Sequence, residues 1–185
     1  MRFVLGALCG LLSGLALYAQ DPQFTKDNRL LKPENYREWI YLSSGLGMTY
    51  GPARESGGEN PPFENVFVTP TAYKSFLETG KWPNGTTFIL EIRASASQGS
   101  INKGGHFQQD RLRYEVEVKD ETRFPDKWAF FGFGENDASS QPIPKSAGCQ
   151  ACHSKNGAVD NTFVQFYPTL LPIAKSKGTL KAAKE

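Results

Sequence analysis

RLRYEVEVKD, residues 111–120, is the stretch on which the fold turns. Leu112, Tyr114, Val116 and Val118 alternate strictly with Arg113, Glu115, Glu117 and Lys119, and a period of two puts the two rows on opposite sides of a strand. Working outward, TTFILEIRA (86–94) is rich in β-branched and aromatic residues and predicts a second strand, with Phe88, Leu90 and Ile92 on one face. The turn QGSINKGG (98–105) joins the two, and KWAFFGFG (127–134) supplies a further strand. Val66 to Val68 form a short strand that runs into a helix over TPTAYKSFLETG (69–80). There Thr69 stands at the N-cap, Pro70 is the first helical residue, Tyr73, Phe76 and Leu77 pack, and Gly80 stops the helix.

The flanks are less regular. KPENYREWIYLSSG (32–45) opens with Pro33, repeats apolar residues at Tyr36, Trp39 and Ile40, and ends at Gly45, which predicts a short amphipathic helix. GMTYGPARESGGENPP (47–62) carries too many glycines and prolines for a core element. Residues 134–148 read as a connection, and NTFVQFYPTLLPIAK (161–175) predicts a final helix ending near Pro168 or Pro172. The fold class is therefore α+β, mainly an antiparallel β-sheet with a few flanking helices.

At the N-terminus, Arg2 precedes an apolar run from Phe3 to Leu17, the pattern of a secretory signal peptide cleaved near Ala19. The run is shorter than the roughly 20 residues that cross a bilayer, so no stable membrane anchor is expected after cleavage. Cys9 leaves with it, and the periplasm becomes the expected compartment. The divisions are residues 1–19 as signal peptide, 20–32 as N-terminal extension, 33–174 as one domain and 175–185 as a polar, solvated tail. With 21 basic and 19 acidic side chains in the whole chain and no long basic run before the tail, nucleic acid is not an expected partner.

The remaining cysteines lie in CQACHSKN, residues 149–156. A disulfide between Cys149 and Cys152 leaves His153 without a role, a thioredoxin-like pair lacks its βαβ context, and zinc needs a fourth ligand when the only other histidine is the distant His106. One covalent heme c uses every residue: each thiol adds across a vinyl group, and His153 ligates the iron. Met48 and His106 are the candidates for the opposite side of the iron. Both fall in loops, which favours an open coordination position.

Four segments in order, ENYREWIYLSSG (34–45), FENVFVTPTAYKSFLETGKWPNGT (63–86), RYEVEVKDETRFPDKWAF (113–130) and CQACHSKNGAVDNTFVQFYP (149–168), resemble the cytochrome P460 family of periplasmic c-type heme proteins. The resemblance implies a mostly β domain, usually a homodimer, with heme near the C-terminal end. Members that oxidise hydroxylamine join a mid-chain lysine to the heme edge. The related cytochromes c-prime-beta lack that link and bind NO or CO in an apolar pocket. By position the lysine falls at Leu90, and the family's pocket carboxylate at Glu115, on a strand face that reads equally well as solvated. Phe88, Leu90 and Ile92, with Phe63 and Phe67 behind them, are the apolar wall expected around the heme. The expected function is binding of a small diatomic such as NO with one-electron exchange through a redox partner protein. Hydroxylamine oxidation and pure electron transfer are the alternatives.

Overall fold

The computed structural model describes residues 21–49 and 58–181. The expected signal peptide, Cys9 and the end of the tail lie outside the described residues. Among those described, no helix is long and apolar enough to cross a membrane.

The elements run β1 (Leu30–Leu31), β2 (Ile40–Leu46), β3 (Phe63–Val68), α1 (Pro70–Thr79), β4 (Thr87–Ala96), β5 (Phe107–Lys119), β6 (Trp128–Phe133), β7 (Ser139–Ser140), α2 (Cys149–Asn156) and α3 (Leu171–Ser176). Strands β2 to β6 form one antiparallel sheet in sequence order, and β1 pairs with β7 at its margin. The α+β class expected from the alternation of residues 111–120 is the observed one.

Register fixes what each face carries. One cross-sheet row reads Val66, Leu90, Glu115, Gly132 and the next Val68, Phe88, Glu117, Phe130. Successive residues point to opposite faces, so these rows share one face while Ile89, Tyr114, Val116 and Phe131 share the other. Helices α1 and α3 cover the first face, burying Phe76, Leu170 and Ala174 with Trp82 and Phe88. The second face is closed by the N-terminal segment: Leu30 and Tyr36 are buried there, and Phe24 packs with Phe124 and Phe131. With both faces covered, β4 is buried on both sides along Phe88 to Ile92 except at Leu90, which is partly exposed.

Three sequence expectations are corrected. Residues 33–45 form a 3-10 turn at Tyr36–Glu38 and then β2, because Ile40 and Leu42 follow a strand period and β3 offers an edge from Ile40↔Val68 to Leu46↔Phe63. Pairing wins over a helical pattern only one turn long. The C-terminal helix does not end at a proline. A 3-10 turn at Val164–Phe166 is followed by α3, where Pro172 occupies the first turn, the position at which a missing N–H costs nothing. The tail is docked at least to Lys181, whose N–H bonds the Ala158 carbonyl at 2.8 Å while Leu180 packs on the core. Helix α1 forms as expected with Gly80 left-handed at its end (φ 70°), although Leu77 faces solvent.

Candidate functional site

Helix α2 consists of the octapeptide CQACHSKN and starts after Gly148, which turns the chain at φ 84°. Positions i, i+3 and i+4 share one side of a helix, so Cys149, Cys152 and His153 open together onto one cavity. Both thiols are unpaired, and burial pushes that of Cys149 upward. The cavity measures about 1070 Å³ with its open mouth included, and its apolar walls include Phe88, Leu90, Phe130, Phe163 and Tyr167.

The His153 ring is held on three sides. Phe130 and Phe163 each place a ring centroid 4.5 Å from its own. Nδ1 lies 3.0 Å from the Asn161 carbonyl, which only accepts, so in the neutral ring Nδ1 carries the proton and Nε2 keeps its lone pair. Glu117 Oε1 lies 3.3 Å from the same Nδ1. Burial lowers the His153 pKa, but the Glu117 carboxylate and the Asn161 carbonyl outweigh it and raise the group above its ordinary value. Burial raises Glu117, against the opposing pull of His153.

A tightly determined loop supplies the Asn161 carbonyl. Asp160 and Asn161 are both left-handed (φ 46° and 65°), a conformation uncommon outside glycine that Asp and Asn tolerate best and that here is held by a constraint. The constraint comes from Lys119, buried, whose Nζ donates to Asp160 Oδ2 at 2.5 Å and to the Trp82 carbonyl at 2.8 Å. Lys181 Nζ adds bonds to the Ser154 carbonyl (2.8 Å) and Asn161 Oδ1 (3.3 Å). At Gly157 a Cβ would lie 2.5 Å from the Asn161 carbonyl carbon and 2.7 Å from the His153 oxygen, so only glycine lets the loop fold back onto the end of α2.

Across the cavity, Leu90 stands between Val66 and Glu115 in the strand register. Glu115 lines the cavity but is 43% exposed and paired with Arg113 at 3.2 Å. Its strand neighbours Glu117 and Lys119, on the face that sequence alternation left open to a solvated reading, are drawn inward beneath α2 and the 157–162 loop. Glu64, buried, is a further carboxylate in the lining that the sequence reading missed. Met48 lines the cavity, whereas His106 lies outside its lining and bonds the Glu59 carbonyl at 2.7 Å. Phe67 belongs to the opposite face, packed on Tyr36 and Tyr41, because its parity on β3 differs from that of Val66. Phe63 and Ile92 are likewise absent from the wall. Among the described residues no lysine lines the cavity, and no three His, Cys, Asp or Glu side chains converge to hold a metal ion on their own.

This donor set fits a heme: an apolar slot, two thiols one helical turn apart at its edge, and an imidazole whose outer nitrogen is already satisfied. No curated protein matches the chain. The Cytochrome P460 family profile matches residues 33–164, from the turn before β2 through the 157–162 loop. The chain belongs to the cytochrome P460 family, whose members are heme-binding cytochromes.

Proposed function

We propose that the chain is an exported mono-heme c-type cytochrome that binds a small diatomic such as NO at an open iron position. Cys149 and Cys152 would form the thioethers, and His153 Nε2 would ligate the iron. When bound, the heme would supply a redox-active iron able to exchange one electron with a partner protein. Around it, Phe130 and Phe163 fix the imidazole plane, Asn161 fixes its tautomer, and Val66, Leu90 and Phe88 keep water from one wall. The observation that carries the reading is Leu90 itself. It occupies the cavity wall where the cross-linked relatives are expected to present a lysine, and no described lysine reaches the cavity.

Glu115 and Glu64 in the lining favour a second reading, oxidation of hydroxylamine with a carboxylate accepting protons. Met48 keeps the electron carrier in view as a potential sulfur ligand. Its Sδ sits where a Cβ on residue 45 would be, 2.5 Å away, so Gly45 makes room for it.

The test is the protein matured in a host with heme-attachment machinery. Intact mass should show one added porphyrin, and the ferrous spectrum should be high-spin and shift on adding CO or NO. Met48→Ala should leave that spectrum unchanged. A low-spin spectrum indifferent to CO, converted to high-spin by Met48→Ala, establishes the carrier instead. Turnover of hydroxylamine with an external oxidant establishes the enzyme.

A further inference from the structure

Glu117 Oε1 is buried and makes no aligned hydrogen bond among the described residues. The groups that could serve it are engaged elsewhere. Lys119, next on the same face, is committed to Asp160 and the Trp82 carbonyl, and Arg113 to Glu115. What remains within reach is His153 Nδ1 at 3.3 Å. The placement belongs to the sheet: Glu117 pairs across β5 with Phe88 on one side and with Phe130 on the other, and Phe130 is the ring that packs on His153. Burying a carboxylate oxygen without full compensation is unfavourable, which calls for a partner at this position. The imidazole cannot swing away, since Phe163 closes its other side.

The geometry points to Glu117 as a positioning residue for the axial ligand: its carboxylate joins the Asn161 carbonyl as acceptor of the His153 Nδ1–H and strengthens donation from Nε2 to iron. The inference rests on the heme reading above. A carbonyl alone fixes the tautomer. An added carboxylate raises ligand basicity, which favours ferric over ferrous iron and stiffens the iron–imidazole bond.

The test compares heme-loaded wild type with Glu117→Gln and Glu117→Asp. Two readouts are taken: the midpoint potential, and the iron–histidine stretching band of the ferrous form by resonance Raman. Glu117→Gln should raise the ferrous/ferric ratio at fixed solution potential about tenfold, ~59 mV for one electron, and move the band to lower frequency. Glu117→Asp, which keeps the charge, should fall nearer wild type in both. A Glu117→Gln protein with wild-type potential and band overturns the inference and leaves the heme reading standing. Absence of covalent porphyrin from the wild type overturns both. If Glu117→Gln fails to accumulate, the wild-type band decides: a frequency no higher than in heme proteins whose axial histidine bonds only a carbonyl overturns the proposal.

Discussion

Glu91 on β4 is fully buried and Glu117 on β5 is 12% exposed with its Oε1 buried; they lie on opposite faces of the same sheet, and their surroundings differ completely. Glu91 accepts from the Tyr36 hydroxyl, from Arg37 Nη2 at 2.5 Å, from Asn65 Nδ2 at 3.1 Å and from Arg93 at 3.5 Å. Asn65 is itself bonded to Ser44 and Gln108, so the network closes on itself. Glu117 Oε1 has, among the described residues, only His153 Nδ1 within reach, at 3.3 Å and already claimed by a carbonyl. A saturated buried carboxylate rigidifies the structure around it. One left partly unsatisfied keeps bonding capacity pointed at whatever it faces, and Glu117 faces the cavity with the heme-motif histidine.

The contrast makes its largest prediction in stability. Glu91→Ala strands four donors on the closed face and should cost about 3 kcal/mol, near the low end for a broken buried ion pair because Arg37 is half-exposed and regains water. Glu117→Gln should change stability by no more than about 1 kcal/mol. Urea midpoints of the heme-loaded proteins measure both, and comparable losses would remove the distinction between a structural and a site carboxylate.

Gly157→Ala sharpens the same contrast from the loop side. The added methyl meets backbone rather than a movable side-chain tip, so about 2 kcal/mol of overpacking is expected. The displaced atoms belong to Asn161 and His153, so the iron–histidine band should move along with the midpoint. A stability loss with an unmoved band would show that the loop does not set the imidazole. Glu91→Ala should give that uncoupled result, since the closed face has no contact with the ring.

What the sequence disclosed follows from range. Strict alternation in residues 111–120 disclosed β5 and its sheet, and CQACHSKN disclosed which three reactive side chains meet at the cavity, because they fall on one side of one short helix. Alternation also put Glu115, Glu117 and Lys119 on one face, but what covers a face is decided by segments far away. Here α2 and the 157–162 loop cover it, which is why a row of charges that looks solvated is partly buried. The helix expected at 33–45 fails for a related reason: its apolar spacing suits one turn, while the edge of β3 that recruits it as a strand lies 17 to 28 residues on, from Leu46↔Phe63 to Ile40↔Val68. The support behind His153 was the least legible, being a backbone carbonyl. Its one local trace is the pattern Gly157 with Asp160-Asn161, a glycine and two residues that tolerate left-handed backbone.

The smallest effect concerns a third carboxylate, where β5 ends, and it has a defined direction with pH. Burial alone would raise Asp120. The Thr122 hydroxyl at 2.8 Å, the backbone N–H groups of Arg123 (2.9 Å) and Thr122 (3.1 Å) and Arg123 Nε at 3.2 Å outweigh that and lower it below the ordinary 3.8. Because the folded pKa is depressed, the ionised form stabilises the fold. That contribution is fully present above the unfolded value and is lost as pH falls through the folded one. Asp120→Asn should therefore cost about 1 kcal/mol at neutral pH, and the gap from wild type should narrow as pH drops below 3.8. Saturated by its own turn, Asp120 resembles Glu91 in bonding and is opposed to Glu117, which burial shifts the other way. A gap that stays constant well below 3.8 would mean that these bonds do not favour the ionised carboxylate at the end of β5.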